Sequence, residues 1–175
     1  AINTAFASSG ITGFGNEAVT ITDTSLAAAT LNTLDSNTSG TVNASAVTTI
    51  TGSAAAINTA FASSGITGLG NEAITLDDTS LAAATLNTLD GNTSGTVNAA
   101  TVTTITGTAS AANTAYASSG ISNLGNEAVT ISDTSLAVAT LNTLDGNTSG
   151  TVNATTVTTI TGTASAANTA YASSG

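Results

Sequence analysis

The sequence predicts an α/β repeat protein, a β/α solenoid with coils of about 27–28 residues that pair into a double repeat of roughly twice that length. Three observations carry this reading. Ala18-Val-Thr-Ile-Thr-Asp-Thr-Ser25 returns at 73–80 and at 128–135, with the same interval both times. Self-similarity at a fixed period signals an array in which like units stack on their neighbours. Each period also divides, because residues 18–25 lie over Ala46-Val-Thr-Thr-Ile-Thr-Gly-Ser53, and Leu31-Asn-Thr-Leu34 over Ile57-Asn-Thr-Ala60. Finally, inside each unit a two-residue apolar alternation gives way to Ala-rich helical spacing.

The division sets the organisation. Residues 1–17 form a partial repeat, 18–72 repeat 1, 73–127 repeat 2, and 128–175 a truncated repeat 3. Such a phase suggests an excerpt from a longer array. Within repeat 1, Val19-Thr-Ile21-Thr reads as a half-buried strand. Val47-Thr-Thr-Ile50 carries one extra residue between its apolar positions, which suggests a bulge. Asp23-Thr24-Ser25 and Gly52-Ser53 offer oxygen side chains as helix N-caps. Ala27, Leu31 and Leu34 then form one helical stripe, and Ile57 and Phe61 another. Gly40 and Gly65 stand where a helix would stop with φ > 0. Thr41-Val-Asn-Ala44 reads as a short extended return, and 65–70 as a looser one.

A strand followed by a helix in each unit matches the period of a leucine-rich-repeat-like coil. Adjacent rungs then place Val19 beside Val47, about 4.8 Å apart. An all-α hairpin array and a β-helix without helices are the competing architectures. Repeats 1 and 2 differ at twelve of 55 positions, and Val19/Ile74, Ile21/Leu76 and Phe61/Tyr116 keep size or shape. Leu26, Leu31 and Leu34 never change and are assigned to the core. Ile57 becomes Ala112 and Ala167, so it is not read as an anchor.

Composition narrows the chemistry. The 175 residues include no Lys, Arg, His, Cys, Met, Pro or Trp, and ten acids give a net charge of −10. Nucleic acid and anionic membrane surfaces are bound through cations, which this chain lacks. A mean hydropathy of +0.31, with Val, Ile and Leu held in register, favours folding over disorder. General bases, thiol nucleophiles and oxyanion clamps are also missing. Adjacent Asp77 and Asp78 raise the question of glycoside hydrolysis, but the other copies hold Thr22-Asp23 and Ser132-Asp133. The expectation is therefore no enzyme and no small-molecule substrate.

Three patterns remain as candidate sites. Asp35-Ser-Asn37-Thr-Ser39-Gly40-Thr-Val42 recurs around Asp90, Asn92 and Ser94, and around Asp145, Asn147 and Ser149. It resembles the calcium loop of EF-hand and dockerin modules, with oxygen ligands at positions 1, 3 and 5 and Gly at 6. The bidentate acid at position 12 is replaced by Ala46, Thr101 or Thr156. The motif therefore reads either as a weak calcium site or as a turn with Asp and Asn bonded to local backbone. Next, Thr20, Thr48, Thr75, Thr103 and Thr130, with Thr22, Thr51 and Thr106 nearby, suggest a hydroxyl face that could order water or ice. Last, Asn32 with Asn58, and Asn87 with Asn113, suggest amides bonded along the stack.

Throughout, the phrases Ala-Val-Thr-Ile-Thr-Asp-Thr, Leu-Asn-Thr-Leu-Asp and Thr-Ser-Gly-Thr-Val-Asn-Ala resemble the repeats of very large bacterial surface proteins and adhesins, cyanobacterial ones among them. That resemblance implies secretion, many tandem copies and an extracellular or cell-surface role. The partners it implies are further copies of the repeat, including head-to-tail association, without membrane insertion.

Overall fold

The computed structural model describes residues 1–174. A short helix, α1 (Ile2–Phe6), precedes six passes of the chain, each ending in a helix. The first pass carries β1 (Val19–Thr20), β2 (Ser25–Ala27) and α2 (Ala28–Asn37). The second carries β3 (Val42–Asn43), β4 (Thr49–Gly52) and α3 (Ala54–Ala62). The third has three strands, β5 (Ile66–Thr67), β6 (Ala73–Leu76) and β7 (Ser80–Ala82), before α4 (Ala83–Asn92). The fourth returns to two, β8 (Val97–Asn98) and β9 (Thr104–Gly107), with α5 (Ala109–Ala117). The fifth holds β10 (Ile121–Ser122), β11 (Ala128–Ile131), β12 (Ser135–Ala137) and α6 (Val138–Asn147). The sixth holds β13 (Val152–Asn153), β14 (Thr159–Thr161) and α7 (Ala164–Ala172).

Every strand pairing among the described residues is parallel, and each helix packs against the helix of the next pass. The chain is thus an α/β fold in which parallel strands alternate with helices. Neither an all-α array nor a helix-free β-helix accounts for it.

The register corrects the predicted spacing. Val19 pairs with Val42, not Val47, and Val42 pairs with Ile66, so successive rungs come sooner than successive repeat units do. Likewise Leu26 lies beside Ile50, and Ile50 beside Ile74. Sequence-equivalent residues are therefore not rung partners. The physical reason is that, from the second pass on, passes hold two strands and three in alternation. A two-strand pass pairs with the last two strands of the pass before it and the first two of the pass after. Thus β3 and β4 lie between β1–β2 and β5–β6, while β7 is left for β9. Each double repeat slides the ladder by one strand, and the longest sheet runs β2-β4-β6-β8-β10. Helices pack about 8–10 Å apart and strands about 4.8 Å. One column of each cannot keep both spacings without bending or shearing, and the slide is a shear of this kind.

The core runs without a break from Val19 to Leu144. Ile50, Ile74 and Ile105 point in from the strands, and Leu31, Leu86 and Leu89 from the helices. Ala28, Ala54, Ala83 and Ala109 are wholly buried where each helix begins, so the helix backbone lies close against the strands. Leu31 and Leu34 are core as predicted, but Leu26, in the middle of β2, is half-buried and Ala27 is exposed. Ile57 is fully buried, and Ala112 is equally buried in its place, so the site accepts either volume.

Local expectations hold in part. The irregularity at Val47–Ile50 is present: the N–H groups of Thr48 and Thr49 both donate to the Thr24 carbonyl, at 2.8 and 3.1 Å. Ser53 caps α3 by accepting from Ala56 N, but α2 begins at Ala27 without a side-chain cap, because Ser25 is spent in β2. Nor do Gly40 and Gly65 end helices with positive φ; α2 and α3 end at Thr38 and Ser63 in extended conformation. A Cβ on Gly40 would collide with the Glu17 carbonyl, and on Gly65 with the Asp35 carboxylate. These glycines answer to close approach between passes. Positive φ occurs at Gly68 (+83°), where the next copy carries Asn123 (+64°), the residue type that best tolerates that region after glycine.

Candidate functional site

The chemistry-bearing residues gather at the joints between passes. The loop Gly70-Asn71-Glu72 recurs as 15–17 and 125–127. In it the glutamate Oε2 accepts the N–H of the residue two before it, at 2.8 Å in all three copies, and that of the preceding Asn at 3.1–3.2 Å. The glutamate's own carbonyl accepts the hydroxyl of a buried threonine from the following pass. Thr38 donates to Glu17, Thr93 to Glu72 and Thr148 to Glu127, each at 2.7 Å. The same threonine hydroxyl then accepts the N–H of Gly40, Gly95 or Gly150. Glu72 and Glu127 are 0% exposed, and the Oε1 of each is buried without a partner among the described residues. An unpaired buried carboxylate oxygen is costly, so the backbone N–H pair on Oε2 is what holds the carboxylate in place.

Electrostatics at the joint vary by copy. The Gly15 N–H, ahead of a smaller opposing effect of desolvation, holds the Glu17 carboxyl below its ordinary range. At the third copy Tyr116 donates its hydroxyl to Glu127 Oε2 at 2.9 Å. Burial, above all, pushes the Tyr116 phenol well above its ordinary value. Glu127 adds to that and Thr148 opposes it.

A second set of joints caps the helices from the neighbouring pass. Asp78 Oδ2 accepts from Ala54 N at 2.7 Å, and Asp133 Oδ2 from Ala109 N at 2.7 Å. A carboxylate there satisfies a first-turn N–H and faces the positive end of the helix dipole. Asp133 and Asp78 thus do for α5 and α3 what local sequence suggested for Asp23-Thr24-Ser25 on α2. Asp77, beside Asp78, is exposed, while Asp78 is half-buried on its cap.

The candidate calcium residues are placed in the same joints, each facing a different neighbour. Asp35, Asp90 and Asp145 accept through Oδ2 from the hydroxyls of Ser63, Ser118 and Ser173 at the end of the next helix, at 2.7–2.8 Å. Asn92 and Asn147 donate to the Oδ1 of Asn58 and Asn113 in the preceding pass. Asn37 is the last residue of α2. Ser39, Ser94 and Ser149 donate their N–H groups to the carbonyls of Gly15, Gly70 and Gly125. Through the Asp and Asn side chains and the Ser backbone N–H groups, each loop is bonded to the passes before and after it.

The predicted hydroxyl row is only partly assembled. Thr75 lies beside Thr51, and Thr130 beside Thr106, on adjacent strands. Their ranks continue into Ala27 and Asn98, and into Ala82 and Asn153. Thr20 lies beside Asn43. Thr48 and Thr103 sit before their strands and donate their hydroxyls to the Thr24 and Thr79 carbonyls. The amides do bond along the stack: Asn32, Asn87 and Asn113 donate to the helix carbonyls of Ala56, Ala111 and Thr140, while Asn58 and Asn113 accept from Asn92 and Asn147.

Sequence reasoning missed the buried glutamates. Their signal was present, as a Gly-Asn-Glu triplet unchanged at every copy in a chain where an acid has no cation to pair with. Against protein families, curated proteins and solved structures, the chain finds no match.

Proposed function

We propose that the chain is a stretch of β/α solenoid serving as a structural segment, a stiff extracellular rod, spacer or fibre of a large surface protein. The observation that supports it is the joint itself: Thr38–Glu17, Thr93–Glu72 and Thr148–Glu127 repeat one hydrogen bond, at one length, once in every double repeat. The polar side chains of these joints bond to the passes before and after them. Stacking hides each pass's apolar edge against its neighbour, so length is added by adding copies. The extracellular setting rests on the resemblance of the repeat phrases to bacterial surface proteins. Lack of Lys and Arg also removes every trypsin site, which suits an exposed fibre.

The test is a series of chains carrying two, four and eight double repeats, measured by small-angle scattering and electron microscopy. A rod lengthens in proportion to copy number at constant width. Dimensions that grow as a compact globule's do would sink the reading. A water-ordering face is the second reading, favoured by Thr51 beside Thr75 and Thr106 beside Thr130. Ice-recrystallisation assays on the wild type and on Thr75→Lys decide it, since only a working face would lose activity.

A further inference from the structure

We propose that Glu72 and Glu127 each hold a monovalent cation such as sodium, bound at the unpaired carboxylate oxygen beside the carboxyl end of the preceding helix. This goes beyond the rod reading, because it makes closure of the joints depend on an ion from solution.

Negative charge collects at these helix ends. A helix C-terminus carries roughly half a negative charge, and a cation is its favoured neighbour. α3 and α5 have no basic residue in the last turn, and the chain has no cationic side chain to send from elsewhere. Two carboxylates arrive instead. At α5, Tyr116 of the last turn donates to Glu127 Oε2 at 2.9 Å, and the Ser118 hydroxyl donates to Asp90 Oδ2 at 2.7 Å. At α3, Ser63 donates to Asp35 in the same way, at 2.7 Å, and Phe61 holds the tyrosine's position before Glu72. Asp35 and Asp90 themselves lie in the last turns of α2 and α4. Each joint therefore receives a second negative helix end.

Acids gathered in this way repel one another, and by themselves they define no site. The glutamates add the deciding feature. Both are wholly buried, and the Oε1 of each has no partner among the described residues, while Oε2 accepts two backbone N–H groups. A buried charge is tolerated when it is paired, and left unpaired it costs far more than a buried neutral group. With no cation in the chain, the pairing charge comes from solution. Its valence follows from the ligand count. A calcium ion takes about six to eight oxygens, several of them from carboxylates, and among the described residues no three acids gather closely enough to hold a metal in that manner. One carboxylate is enough to neutralise a monovalent ion. The two copies differ in need: Glu127 has a third donor in Tyr116, whereas Glu72 has only the backbone pair. The ion at Glu72 therefore contributes more.

The test follows the melting temperature of the full chain as sodium chloride replaces tetramethylammonium chloride at constant ionic strength. Screening is then the same throughout, and tetramethylammonium is too large to enter a closed joint. A ligand that binds only the folded state raises the melting temperature in proportion to the logarithm of its concentration above Kd, here by about 3 °C or more for a chain of this size. Glu72→Gln, which keeps the shape and removes the charge, should abolish the larger part of the rise. Glu72→Gln combined with Glu127→Gln should abolish all of it, and Asp77→Asn, at an exposed acid, none. Tyr116→Phe gives Glu127 the surroundings of Glu72 and should enlarge the rise, so the location is tested even where a glutamine variant does not fold. Equal melting in the two salts overturns the proposal. So does a sodium effect that survives in the double glutamine variant, or one that Tyr116→Phe leaves unmoved. The rod reading stands apart from these outcomes, because it is decided by how length grows with copy number.

Discussion

The hydroxyl of Tyr116 donates to Oε2 of Glu127 at 2.9 Å, while one double repeat earlier Phe61 takes the tyrosine's position and offers the equally buried Glu72 no hydroxyl. The two copies are therefore a natural test of one hydrogen bond. Hydrogen bonds to a charged partner contribute about 1.5–3 kcal/mol. Tyr116→Phe should destabilise by about 1.5 kcal/mol, and Phe61→Tyr should stabilise by about 1 kcal/mol, both read from denaturant unfolding. Equal and negligible effects would mean that the backbone N–H pair alone satisfies these carboxylates.

Stability should fall at both ends of the pH scale, for different groups. Burial raises the Tyr116 phenol in the folded chain. Its contribution is present below the ordinary tyrosine value, about 10, and is lost as pH rises above it. Glu17 is held low by the Gly15 N–H. Its contribution is present above the ordinary glutamate value, about 4.3, and is lost as pH falls. Melting curves of Tyr116→Phe and Glu17→Gln should draw toward wild type as pH rises above about 10 and as it falls below about 4.3 respectively.

Glycine substitutions should divide sharply. A Cβ on Gly95 would run into the Glu72 carbonyl, a backbone atom that cannot move without opening the joint. Gly91 lies in α4 with nothing within 4 Å of its added Cβ. Gly95→Ala should cost about 3 kcal/mol or abolish folding, whereas Gly91→Ala should stabilise by about 0.5–1 kcal/mol. Thermal melts of the two single variants are sufficient to tell.

Asp77 and Asp78 are neighbours with opposite expectations. Asp78 caps α3 from the adjoining pass, and loss of a helix cap costs about 0.5–2 kcal/mol. Asp78→Ala should fall in that range, and Asp77→Ala, which removes an exposed acid, should be neutral or mildly stabilising. The reverse order would show that the cap hydrogen bond is not formed in solution.

All ten acids carry the same sign and no side chain opposes them. Screening by salt should therefore raise the melting temperature between about 10 mM and 300 mM NaCl, over which the Debye length shrinks from about 30 Å toward about 6 Å. With Asp35, Asp90 and Asp145 bonded to serines of the next pass, calcium and magnesium at matched ionic strength should act alike. A calcium-specific rise that disappears in Asp90→Asn would establish the loop as a metal site instead.

Much of the fold was legible in the residues. The Val19-Thr-Ile21 and Ile74-Thr-Leu76 alternations marked β1 and β6, Ser53 marked the start of α3, and Leu31 and Leu34 marked the buried helix face. The calcium-loop pattern pointed to residues that all three copies place in joints, but their partners stand in other passes of the chain, out of reach of any local reading. Glu72 escaped because a lone acid gives no sign of burial until its loop and the threonine of the next pass are both in place.

By itself the sequence determined the period, the alternation of strand with helix, and the absence of any cationic side chain to bind nucleic acid or pair an acid. These follow from local residue chemistry, which a single chain displays in full. Only the tertiary structure decided which rung meets which, that Val19 lies beside Val42, and that the sheets slide by one strand in every double repeat. Sequence similarity reports that two segments have the same environment. Register is set by how helices and strands of unequal spacing pack together, and that depends on the whole stack.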